Sequence, residues 1–191
     1  MLRLLAGTVL ALALTGCWLS EQRLFGAGDW AALDVAGHYV SENAEGNREA
    51  RVVLKVLPNR TVEGTSTRID DGSVETSVFG LVPIAGGAGS HFIMLDRSGE
   101  TDDGDIYFIA HLTGEGAIEV YFPQCAGTPD IAGMTRESDP WISEEICHFT
   151  DKPAVMRAAL EAERVLSTPQ MFEIRRLARL VPVDETEASE P

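Results

Sequence analysis

The chain has 191 residues and a hydrophobic fraction of 45%, which suits one domain with its own core and excludes global disorder. A net charge of −15 repels phosphate backbones and anionic head groups, so nucleic-acid binding and polybasic docking on membranes are excluded as leading functions.

Met1-Leu2-Arg3 is a short positive start, and residues 4–14 form an apolar run broken by Gly7 and Thr8. Thr15, Gly16 and Cys17 follow, which completes the three-part order of a secretory signal. The apolar run has 11 residues, against about 20 needed to span a bilayer. Leu14-Thr15-Gly16-Cys17 resembles the lipobox of bacterial lipoproteins. That resemblance implies cleavage of residues 1–16 and diacylglycerol on the sulfur of Cys17. It also implies acylation of the new amino terminus. In that family an aspartate after the cysteine favours the inner membrane. Trp18 stands there in this chain, so the expected location is the outer membrane, facing the periplasm. Cleavage leaves 14 basic against 30 acidic residues, a net charge of −16.

Residues 17–35 are expected to form a lead segment from anchor to domain. Trp18, Leu24, Phe25, Trp30 and Leu33 make it more than a tether, and part of it should pack on the domain.

A single β-rich domain is expected over 36–182. Short apolar runs alternate there with turn signals, which reads as antiparallel β. Predicted strands cover 37–43 and 51–57, the second with Val52, Leu54 and Val56 at period two. A polar, β-branched run covers 61–69. Asp71-Gly72 predicts a two-residue hairpin to a strand over 74–83. Further strands are predicted at 91–96, 105–112 and 118–122. Ile109 and Leu112 lie on opposite faces of a run with little polarity, so that strand is expected to be covered on both sides.

Cys125 and Cys147 remain after cleavage and are expected to bridge in an oxidising compartment. The intervening stretch carries Pro129, Gly133 and Pro140 and reads as a long irregular loop. A helix is predicted over 153–166, capped by Thr150 or Asp151, with Val155, Ala159, Ala162 and Leu166 at helical spacing. Residues 171–180 are read as a last strand, and 183–191 as an acidic disordered tail.

The fold class is therefore mainly β: an antiparallel meander of seven or eight strands, barrel or sandwich, with one C-terminal helix. The element order, with Gly37-His38-Tyr39 opening the first strand, resembles the lipocalin-type barrel. That resemblance implies a cavity for an apolar ligand. The aromatic residues Trp30, Tyr39, Phe79, Phe92, Tyr107, Phe108, Tyr121 and Phe122 are candidates to line it or to form plain core.

No nucleophile elbow, Ser-x-x-Lys, His-Glu-x-x-His or phosphate loop occurs, so no catalytic residue, cofactor or metal ligand is assigned. His91 and His111 lie on consecutive predicted strands and are placed to face each other, but the spacing supplies no third metal ligand; His38 and His148 are read as structural too. Glu100, Asp102, Asp103 and Asp105 flank Gly104 and read as a solvated turn. Arg175, Arg176 and Arg179 stand out in an acidic chain and read as neutralising nearby carboxylates, with an anion-gripping patch as the alternative. The expected function is a non-enzymatic envelope module that binds an apolar small molecule or an envelope protein. The alternatives are an assembly role on a basic envelope protein and an unrecognised hydrolase.

Overall fold

The computed structural model describes residues 18–97, 104–139, 144–166 and 175–184. Among the described residues, eleven strands and one α-helix carry the fold. They are β1 (Trp18–Ser20), β2 (Gly37–Glu42), β3 (Arg48–Val56), β4 (Val62–Arg68), β5 (Val74–Pro83), β6 (His91–Asp96), β7 (Asp105–Leu112), β8 (Ile118–Phe122), β9 (Met134–Asp139), β10 (Glu144–Phe149), the helix α1 (Lys152–Leu166) and β11 (Arg175–Pro182).

Strands β2 to β8 form a meander in which each pairs antiparallel with the next. β11 then pairs with β8 on one side and β2 on the other, and the eight strands close into a barrel. Closure removes the unpaired edges that an open meander would expose. It also decides for a barrel over a sandwich. The helix precedes the strand that closes the barrel, rather than following the eighth strand as in the lipocalin order.

Period-two alternation divides the side chains between two cores. Inside the barrel, Tyr39, Leu54, Val62, Leu81, Phe92 and Ile118 pack together. The outward residues of β5, β6 and β7 (Val82, Ile93, Leu95, Tyr107 and Ile109) form a second core. Ile109 faces this outer core and Ala110 the inner one, both fully buried, so β7 is covered on both faces as expected. The buried aromatics Tyr39 and Phe92 belong to the inner core, and Trp30 and Tyr107 to the outer one.

The outer core is roofed by α1 and by a three-stranded flap. β1 pairs antiparallel with β7 and parallel with β10, and β10 pairs with β9. The helix begins where Asp151 Oδ1 accepts the Ala154 amide at 2.8 Å, with Pro153 in the first turn. Its stripe of Ala154, Val155, Ala158, Ala159 and Ala162 is buried against the barrel wall. The lead segment is part of this layer. Trp18, Phe25, Trp30 and Val35 are buried, and Lys152 Nζ at the start of the helix meets Asp29 Oδ2 at 2.7 Å.

Three expectations are corrected. The stretch between Cys125 and Cys147 is a hairpin, β9 against β10, joined at Glu144↔Asp139. Its strands, MTRESD and EEICHF, are mostly polar, and Cys147 and Phe149 at the end of the second are buried in the outer core, too short an alternation to mark a strand. The Asp71-Gly72 turn is longer than two residues: β4 ends at Arg68 and β5 starts at Val74, with Gly72 at φ +69°. Asp105 is buried, not solvated, because Arg97 pairs with it under the lead segment. Gly104 beside it has the positive φ expected of that turn, +63°. Glu100, Asp102, Asp103, Cys17, residues 171–174 and the tail from 185 lie outside the described residues.

Candidate functional site

A groove of about 410 Å³ lies outside the barrel, between α1 and the turn that follows β8. One wall is the helix, with Ala158, Ala162 and Val165 facing in, and the other is residues 123–129. Trp18 lines it as well. The helix wall is low because alanines at i and i+4 sit on one face and leave room that larger side chains would fill.

The opposite wall is rigid for local reasons. Residues Cys125–Gly127 form a single 3₁₀ turn, in which the Thr128 amide donates to the Cys125 carbonyl at 2.9 Å. Cys125 is bonded to Cys147 in β10. Arg136 in β9 donates to the carbonyls of Cys125, at 3.1 Å, and of Thr128. Pro123 and Pro129 bracket the segment.

Two polar side chains lining the groove are bonded to the protein itself. Trp18 Nε1 donates to Thr128 Oγ1 at 2.8 Å, and that hydroxyl donates to the Gln124 carbonyl at 3.0 Å. The Trp18 ring meets Phe149 edge to face at 5.4 Å between centroids. What the groove offers a ligand is therefore mainly apolar surface. Glu161 is its one charged lining residue, and it pairs with Arg164 on the same helix.

A second constellation runs across the outer wall of the barrel. Neighbouring strands place His91 beside His111, His111 beside Glu119, Glu119 beside Arg179, and Arg179 beside Glu42. The two imidazoles stack at 4.3 Å between centroids with 11° between planes. His91 Nδ1 lies 3.1 Å from Glu163 Oε1 of α1, and His111 Nδ1 lies 3.1 Å from Glu119 Oε2. Burial and the neighbouring His111 lower the pKa of His91 against the opposing pull of Glu163. Burial raises the Glu119 carboxyl, but hydrogen bonds from His111 and Tyr121 and the charge of Arg176 outweigh it, so its net shift is downward. The Tyr121 hydroxyl, donating to Glu119 at 2.8 Å, is pushed up to about 12 by burial and by that carboxylate.

This row does not assemble a hydrolytic triad. Ser90 Oγ and Glu163 Oε1 both approach Nδ1 of His91, at 3.3 and 3.1 Å. A proton relay needs the nucleophile and the orienting carboxylate on different ring nitrogens. Among the described residues no group of three or more His, Cys, Asp or Glu side chains is placed to hold a metal.

The structure thus brings His91 and His111 together and bonds Cys125 to Cys147. Arg176 and Arg179 lie within 3.7 and 3.8 Å of Glu119, in agreement with internal neutralisation. His148 lies 3.4 Å from Glu137 across the flap. Two features escaped the sequence reading. One is the groove itself, which joins Trp18 to a turn 110 residues away. The other is the buried Arg97–Asp105 pair, in which Asp105 reads as part of a solvated turn at the start of a strand and Arg97 has no assigned role. Comparison with protein-family models, curated proteins and solved structures finds no match to this chain.

Proposed function

We propose that this chain is a lipid-anchored envelope protein whose barrel domain is a non-enzymatic binding module for an apolar ligand, held in the groove between α1 and residues 123–129. Anchoring is through lipid on Cys17, at the outer membrane and facing the periplasm. The observation that carries the binding reading is the groove: about 410 Å³, within the roughly 300–1,000 Å³ of ligand sites, with mainly apolar walls and with Trp18 Nε1 and Thr128 Oγ1 bonded within the protein. The lipid supplies the attachment in this reading. Among the described residues no helix is long and apolar enough to cross a membrane, and the acidic balance of the chain gives anionic head groups nothing to hold.

Trp18 provides the test. An uncharged brominated acyl ester seated in the groove touches its ring and quenches its fluorescence. The expected result is saturable quenching of the wild-type domain and none in Trp18→Phe beyond the signal of the other tryptophans. Quenching that rises linearly with ester, identical in both proteins, contradicts a site at the groove.

A further inference from the structure

We infer that the groove shelters one acyl chain of the protein's own anchor, the chain carried by Cys17. This rests on the lipid-anchor reading above and gives its site an occupant. Trp18 lines the groove and is one peptide bond from Cys17, so their Cα atoms are about 3.8 Å apart. A chain attached at Cys17 is tethered one residue from a lining side chain and reaches the site without diffusing there.

Charge narrows the occupant further. The lining contains no lysine or arginine, and its one charged residue is Glu161. A free fatty acid would bring its carboxylate next to that glutamate, and a phospholipid would bring its phosphate. An acyl chain in amide or thioether-linked glyceride form brings no charge. With Trp18 Nε1 and Thr128 Oγ1 already engaged with each other, the site asks its ligand for little beyond shape and apolarity.

The consequence is a change in the strength of the hold on the bilayer. The anchor reading gives three chains, two on the glyceride and one on the amino terminus, and two buried chains suffice for stable attachment. A chain held in the groove is withdrawn from the bilayer and leaves the other two to anchor the protein. Emptying the groove returns the third and tightens the attachment.

The test uses the full chain, made in cells fed a diazirine-bearing fatty acid and purified in detergent. Intact mass first shows whether Cys17 carries lipid. Irradiation then fixes each acyl chain to whatever it touches, and peptide mapping locates the cross-links. The expected result is cross-links within the same molecule to residues 123–129 and 158–165. Val165→Asp places a charge at the half-buried groove edge, and a charge is costly beside an apolar chain. It should lower those cross-links at least about tenfold at unchanged lipid mass. Ala162→Trp, which fills the groove, should bind neutral phosphatidylcholine vesicles more than about tenfold more tightly than wild type, the effect of roughly two further methylenes in the bilayer. Near-UV circular dichroism checks that both variants fold, and the wild-type map stands without them. A lipidated wild-type protein cross-linked only to detergent or co-purified lipid, or diffusely over its surface, overturns the inference and leaves the anchor reading intact. A Cys17 that carries no lipid overturns both.

Discussion

His91 lies flat against His111 on the outer wall of the barrel, 4.3 Å between ring centroids, and each ring's Nδ1 lies 3.1 Å from its own carboxylate, Glu163 or Glu119. The arrangement ties the C-terminal half of α1 to β6 and, through the stack, to β7 and β8. It also holds the 85–89 loop, because Glu163 Oε1 accepts the Ala88 amide at 2.7 Å.

This geometry predicts a stability that falls on mild acidification. Burial and His111 hold the His91 pKa below its ordinary value of 6.5. As pH drops through 6.5, the unfolded chain takes up a proton at this site before the folded one does, so stability declines from there down to the folded pKa. Urea unfolding at pH 7.5 and pH 5.5 should show the lower stability at pH 5.5, and His91→Gln should flatten the dependence. Equal slopes in wild type and variant contradict this account of the pair.

Asp105 predicts a larger effect that does not depend on the histidines. Its carboxylate is fully buried, pairs with Arg97, and accepts the Leu24 amide at 3.1 Å; Arg97 in turn donates to the Phe25 carbonyl at 3.0 Å. The pair is therefore a clamp on the lead segment. Asp105→Asn leaves a buried guanidinium without its partner and should cost about 3–5 kcal/mol. Limited proteolysis should then cut first within residues 20–35. A loss below about 1 kcal/mol would place the pair in water, contrary to its burial.

The disulfide should matter through the unfolded chain. Cys125 and Cys147 close a loop of sequence separation 22, worth roughly 3 kcal/mol of loop entropy. Cys125→Ser with Cys147→Ser should lower the unfolding free energy by that amount, and should weaken acyl-ester binding because the turn at 125–127 loses its tie to β10. Unchanged binding in a folded double variant would assign the wall's rigidity to Arg136 alone.

Gly80 predicts a steric penalty at one position. A Cβ there would come within 2.6 Å of the Trp30 ring, which lies over the outer face of β5. The ring is hemmed in by Arg97, whose guanidinium sits 5.2 Å from its centroid. Gly80→Ala should cost about 1–3 kcal/mol by overpacking, read as a lower midpoint in urea. A neutral effect would mean that Trp30 moves freely.

The legible parts of the fold are those whose stability is local and apolar. Val52 and Leu54 stand at period two, and they point into the barrel. Asp151, Pro153 and the alanine stripe mark a helix that begins one residue before its expected start. The facing of His91 and His111 followed from consecutive strands. The flap left no such trace. β1 has three residues, and its parallel partner Cys147 lies 129 positions away, so no turn announces the pairing. β9 and β10 are held by the disulfide, by pairs such as Arg136–Glu145 at 3.0 Å, and by Cys147 and Phe149, which reach the outer core from a strand otherwise polar. The groove needs Trp18, the 123–129 turn and two alanines of α1 at once, a conjunction that no periodicity encodes.

The central claim is that the groove holds an apolar molecule, and native mass spectrometry of the domain from Trp18 onward, exported to the periplasm without its lipid cysteine, tests it most directly. The account predicts a reproducible added mass of an uncharged acyl compound that is lost on denaturation and absent from Ala162→Trp. A bare mass with the disulfide formed, unchanged after incubation with an uncharged acyl ester, would contradict it.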